Sequence, residues 1–201
     1  MKRTIKISVP ENMYEVKVET YARFLDAIKD TKDDKEIGKI AFEIFCGISP
    51  GMEKQMPKKK RDEVGSILVG MANKTYGLMR RFTFEGVEYG LHPNLDDMKL
   101  GEFVDADNYS REGKDIAKFL SVLYRPISKT KRDRYSIDSY DGTGERVKVM
   151  EQQSAALYLG VCGFFLRIAM TLMNCTLNST SRQETPRMMK GSSAKNGGGS
   201  E

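Results

Sequence analysis

Ala155–Leu166 runs for 12 residues without a charge and then continues past Arg167 into Ile168, Ala169 and Met170. A helix of that composition is apolar nearly all round, so it has to be buried in its own fold or against another chain. Burial in the core is the plainer reading. The functional reading is a shared subunit or client interface, with Leu157, Val161, Phe164, Phe165 and Leu166 as the partner-facing candidates. Gly160 and Gly163 would let another backbone approach closely. The uncharged stretch falls short of the roughly 18–20 residues that a membrane-spanning helix needs, so no membrane role is expected.

The rest of the chain punctuates clearly. Ile5, Ile7 and Val9 alternate with polar residues and stop at Pro10, which predicts a strand. Helices are predicted over about 18–29, 35–46 and 59–73, each with apolar residues spaced by three and four. Arg81–Leu91 alternates on both sides of Glu85-Gly86, the pattern of a β-hairpin. Two further helices are predicted over about 100–107 and 114–124, the second closed by Arg125-Pro126. Tyr135–Tyr140 alternates again, as a short strand or extended arm. The last helix is predicted over about 148–177, and the low-complexity residues 178–201 as a disordered tail. The fold class is therefore α+β and mostly helical, with one folded domain over residues 1–177.

The order of elements invites a search for internal repetition. At an offset of 82, seven apolar residues between Ile5 and Tyr21 fall on apolar partners between Val87 and Phe103. Further along, an offset of 79 sets Lys35-Glu36-Ile37-Gly38-Lys39 on Lys114-Asp115-Ile116-Ala117-Lys118, with five identities in 15 positions. A duplicated strand–helix–helix–helix unit, with halves 1–78 and 79–177, accounts for both. The alternative is two α+β halves that share a pattern by chance.

Composition excludes more chemistry than it offers. With one His and no Trp, a multi-histidine metal centre within one chain is ruled out. Cys46, Cys162 and Cys175 form no close pair, and reduced thiols are the natural expectation. His92, before Pro93, reads as turn packing because no nucleophile context accompanies it. Asp105-Ala106-Asp107-Asn108 opens like a calcium loop but has Ser110 where glycine is needed and Ile116 where glutamate is needed. Asp141-Gly142-Thr143-Gly144 lacks the Lys-Ser/Thr pair of a phosphate loop and reads as a turn. The asparagine triplets at 73, 174 and 178 match a glycosylation acceptor, yet Met1–Lys6 lacks the apolar stretch of a signal peptide. No catalytic residue, metal site or cofactor is predicted, and the expectation is a protein that is not an enzyme.

The net charge of +5 is modest for a duplex-binding domain. Two basic groups nonetheless stand out, Lys58, Lys59, Lys60 and Arg61, and Lys131, Arg132 and Arg134 beside Lys129. Solvated loops explain them; a patch for phosphates or an acidic partner is the functional alternative. The 12 methionines are spread widely, and a methionine side chain adapts to varied apolar partners.

Phe84-Glu85-Gly86-Val87-Glu88-Tyr89-Gly90, then Pro93-Asn94-Leu95-Asp96-Asp97-Met98, Gly101-Glu102-Phe103-Val104-Asp105, Leu123-Tyr124-Arg125-Pro126-Ile127 and Tyr140-Asp141-Gly142-Thr143 form a familiar series. This wording resembles a group of tailed-bacteriophage proteins encoded among virion and tail genes. The resemblance implies a role in virion morphogenesis, and foremost one similar to a tail assembly chaperone that binds apolar helices of the tape-measure protein. A structural component of the particle (neck, baseplate or internal cargo) is the second reading, and a DNA-binding packaging factor the third. It implies tape-measure, tube or neck proteins as partners, a possible homo-oligomer, and the host cytoplasm during assembly, or the virion, as the location.

Overall fold

A computed structural model describes residues 7–111, 115–132 and 134–183, with side chains of the last helix described as far as Asn174. The chain divides into two compact units, Met1–Phe164 and Phe165–Glu201. The fold is α+β and mostly helical, with a β-hairpin near the middle.

The first unit opens with three helices, α1 (Val18–Ile28), α2 (Asp34–Cys46) and α3 (Lys58–Ala72), all within a residue or so of the predicted bounds. Local chemistry sets the limits of α2. Asp33 Oδ1 accepts from Lys35 N at its start, and Gly47 takes φ 62° at its end, a left-handed conformation that glycine adopts without strain. Met13, Val16, Phe42, Val64, Leu68 and Met71 form the centre of the core here.

β1 (Arg81–Phe84) and β2 (Val87–Leu91) pair antiparallel as predicted. Their two-residue turn puts Glu85 at φ 48° and Gly86 at φ 81°, the type I′ geometry that matches strand twist. Two more strands follow later in the chain, β3 (Tyr124–Lys131) and β4 (Arg134–Ile137), giving an antiparallel sheet in sequence order, β1-β2-β3-β4. Gly90, opposite Arg125 in the β2–β3 register, has no room for a side chain: a Cβ there would lie 2.3 Å from the Tyr135 ring. Tyr135 crosses the sheet at that point and donates its hydroxyl to Leu91 O at 2.7 Å.

α4 (Leu100–Ser110) and α5 (Ile116–Leu123) lie between β2 and β3, and α6 (Arg146–Gln152) and α7 (Ala155–Gln183) complete the chain. Several expectations change. Residues 7–10 form no strand; Ile7 and Val9 pack instead against the α2–α3 core, and Ile5 lies outside the described residues. Tyr124–Lys131 is a strand, where a helix end and a loop were predicted. The single last helix is two, because Gln153 and Ser154 are drawn out to bridge the entry to α1: Val18 N donates to Gln153 O at 2.8 Å and Ala155 N to Val16 O at 2.7 Å. Residues 178–183 of the predicted disordered tail continue α7, and 184–201 lie outside the described residues.

The offset of 82 recurs in hydrogen bonding. Asn12 and Asn94 make the same turn: each side-chain oxygen accepts from the backbone N–H two residues on, each backbone carbonyl from the third residue, and each side-chain amide donates to that third residue's carboxylate. α1 and α4 then begin at Val18 and Leu100, and α2 and α5 at Asp34 and Ile116. The helix starts therefore hold the offset of 82 throughout, and the 79-residue register of Lys35–Lys39 is not the one the helices follow. The segments after α2 and α5 differ, the first leading to α3 and the second to the β3–β4 hairpin.

Candidate functional site

After α2 stops at Gly47, the chain turns through Pro50 and Gly51 (φ 81°) into a short 3₁₀ turn, Met52–Gln55, before Pro57 starts α3. This detour holds the end of α2 away from α3. The result is a cleft of about 550 Å³ lined chiefly by Val9, Cys46, Met52, Met56, Val64 and Ile67. Its walls are mainly apolar, with Ser49 and Gln55 among them, and include two methionines, which repack around varied shapes. Lys60 and Glu63 sit at the rim and pair with each other at 2.9 Å. Burial raises the Cys46 thiol above its ordinary range, so this sulfur packs as a small hydrophobe.

A second feature lies under α4. That helix buries a polar face: Glu102 is enclosed, with Oε1 3.0 Å from Arg125 Nη1 and Oε2 3.4 Å from His92 Nε2. Asp105 accepts from the Tyr140 hydroxyl at 2.5 Å, and the Arg125 guanidinium lies 5.7 Å from the Tyr140 ring centre. Burial, and then the Arg125 charge, hold His92 below its ordinary pKa, with Glu102 opposing them. Burial and the bond to Asp105 push the Tyr140 phenol well up. His92 was expected to pack in a turn, and its backbone N does bond Leu123 O at 2.7 Å. Glu102 and Arg125 were not foreseen as a pair. The available signal was Arg125 itself, a charge closing the apolar run Phe119–Tyr124, which cannot be buried without a partner.

Because α4 turns Glu102 and Asp105 inward, it turns apolar side chains outward. Leu100, Phe103 and Val104 are 78%, 61% and 45% exposed. This is the reverse of α1, where the matching Val18 is fully buried and Tyr21 packs against Tyr158.

The residues predicted to face a partner on the last helix separate. Leu157 and Val161 are buried in the first unit and are not available to a partner, which corrects that expectation. The close backbone approach foreseen at Gly160 occurs within the chain, with Gly77 O 2.4 Å from where a Cβ would stand. Phe164 and Phe165 are half-buried and Leu166 is 59% exposed. Beyond it Met170 and Met173 are exposed as well. Ala155–Asn174 is long and apolar enough to cross a membrane despite Arg167, though the share of it within the first unit packs in that unit's core.

The basic residues are exposed, the first group in a helix and not in a loop, the second around a hairpin turn. Lys58, Lys59, Lys60 and Arg61 form the first turn of α3, and Lys131, Arg132 and Arg134 the tip of the β3–β4 hairpin. Asp107 pairs with Arg111, and the Asp141–Gly144 turn is filled by Arg146, which bonds Asp141 Oδ1 at 2.8 Å and the Gly142 carbonyl. Among the described residues no three His, Cys, Asp or Glu side chains gather as a metal site would require.

No protein-family model, no curated protein and no solved structure matches the chain.

Proposed function

We propose that the protein holds an apolar helix of another protein in the cleft between α2 and α3, as a tail assembly chaperone would hold the tape-measure protein before the tube forms. The observation that carries this reading is the cleft's methionine-bearing, mainly apolar wall, open to solvent and rimmed by Lys60 and Glu63. Helix-in-groove recognition needs an apolar trough of this kind and tolerates sequence variation in the guest. Lys58, Lys59 and Arg61 add salt-sensitive attraction for an acidic guest. In this reading the protein catalyses no reaction, and it acts in the host cytoplasm during assembly.

The test is binding of labelled amphipathic helical peptides taken from the tape-measure protein, followed by fluorescence anisotropy. Ile67→Glu and Met56→Glu should each weaken binding at least tenfold; unchanged binding by both sinks the proposal. Recovery of the protein at stoichiometric copy number from purified mature particles would favour the second reading, a structural component of the virion. The packaging-factor reading rests on the exposed hairpin tip, and Lys131→Ala with Arg132→Ala and Arg134→Ala would remove DNA retention if it held.

A further inference from the structure

We propose that copies of this chain associate head to tail, the Leu166/Met170/Met173 stripe of one copy's α7 seating on the Leu100/Phe103/Val104 stripe of the next copy's α4. The surfaces are distinct from the cleft, so the inference stands apart from the proposed function.

The α4 stripe is held outward by what lies beneath it. Turning Leu100 and Phe103 toward the core would pull Glu102 away from Arg125 and His92, leaving buried charges without partners. The exposure is therefore fixed by the fold. The matching face of α1 shows what such a surface accepts. There Val18 and Tyr21 are covered by the chain entering α7, whose Tyr158 ring lies 6.2 Å from that of Tyr21. On α4 the equivalent positions remain in solvent.

The proposed occupant is the distal part of α7 from a second copy. Leu166, Met170 and Met173 are 59%, 56% and 64% exposed, and their spacing of four and three places them on one helix face. That stripe runs for two turns, about 10 Å, long enough to cover the shorter Leu100–Val104 stripe of about 6 Å on α4. Charge is complementary too. Residues 165–174 carry Arg167 and no acid. Around the α4 stripe, Asp96, Asp97 and Asp107 outnumber Lys99 and Arg111, while Glu102 is already neutralised from within by Arg125. One helix face on another buries less than a standard interface of about 1,200–2,000 Å², so association should be weak and concentration-dependent. Since two different patches meet, the contact leaves one free patch at each end and builds rings or open chains.

Sedimentation equilibrium on the full chain, from roughly 1 to 200 μM, reads this directly. The wild type should rise from monomer through dimer to larger species. Phe103→Glu and Met170→Glu should each stay monomeric across the range. Mixed in equal amounts, the two variants keep one intact interface and should form a dimer and nothing larger. A monomeric wild type, an associated Phe103→Glu variant or a monomeric mixture would each overturn the proposal; the second outcome would mean that α7 seats on α7. Monomeric wild type that floats with phosphatidylcholine vesicles would assign the α7 stripe to a membrane surface instead, and also overturn it. If either variant loses its helical circular dichroism, Leu100→Gln and Leu166→Gln repeat the same crossed test.

Discussion

Glu102 and Arg125 meet across the α4–β3 contact with Oε1 and Nη1 3.0 Å apart, and each side chain keeps less than a twentieth of its surface in solvent. Their attraction has to offset the cost of removing both from water, and His92 shares the enclosure. Truncating one partner therefore hurts more than replacing both. Arg125→Leu should lower unfolding stability by about 3–5 kcal/mol, because Glu102 stays buried without its cation. Arg125→Leu combined with Glu102→Met should recover most of that loss. Urea unfolding followed by circular dichroism measures both, and a double variant as unstable as the single one would contradict the account.

His92 gives the same enclosure a pH dependence. Its folded pKa lies below the ordinary imidazole value of 6.5, so on acidification the unfolded chain takes up a proton before the folded one. Stability should thus fall as pH drops below about 6.5, with a slope of at most about 1.4 kcal/mol per pH unit from this group. The chain has one His, so the effect in that window is assignable. Unfolding of the wild type and of His92→Gln between pH 7 and 5 tests it; equal slopes would show that His92 does not carry the dependence.

Gly160 and Gly77 meet backbone to backbone, yet the two glycines are not equivalent. A Cβ on Gly160 would strike Gly77 O at 2.4 Å, and neither main chain has a flexible end to move aside. A Cβ on Gly77 would meet nothing within 4 Å. Gly160→Ala should cost about 1–3 kcal/mol as an overpacking change. Gly77→Ala should be neutral or stabilise by up to about 1 kcal/mol through the unfolded state. Thermal melts of the two single variants distinguish these outcomes.

Which parts of this fold were legible in the sequence follows from the range of the forces that set them. α1, α2 and α3 are written in local apolar spacing and in Asp33 and Gly47 at the ends of α2. The first hairpin is written in Glu85-Gly86. Strand β3 was not, because Pro126 and the basic residues after it look like a helix end and a loop; its pairing comes from β2, more than 30 residues earlier. The break between α6 and α7 is imposed by Val16 and Val18, well over 100 residues away. The outward facing of Leu100, Phe103 and Val104 was equally hidden, since a stripe of that spacing ordinarily marks a core face. Only the placement of Arg125 and His92 under α4 reverses it. The expected interface on α7 was half legible: its apolar character was plain, but not that Leu157 and Val161 lie buried while Leu166 stands exposed.

Asp33 and Asp115 supply a final test, because they occupy matching positions at the offset of 82 and precede α2 and α5, which start in step. Their side chains do different work. Asp33 Oδ1 caps its helix by accepting from Lys35 N at 3.0 Å. Asp115 makes no side-chain cap and instead faces Lys118 at 3.0 Å on the surface. In each case the first long-range turn of the helix closes on the aspartate carbonyl, from Ile37 N and from Phe119 N. Removing the Asp33 carboxylate strands a helix-start donor, whereas removing that of Asp115 breaks an exposed ion pair. Asp33→Ala should therefore cost about 1 kcal/mol, and Asp115→Ala no more than about 0.5 kcal/mol. Adding 0.5 M salt should shrink the Asp115 effect and leave the Asp33 effect in place, since screening acts on the exposed pair and not on the cap. Equal costs with equal salt responses would mean that the two helix starts are held the same way, against the hydrogen bonding seen here.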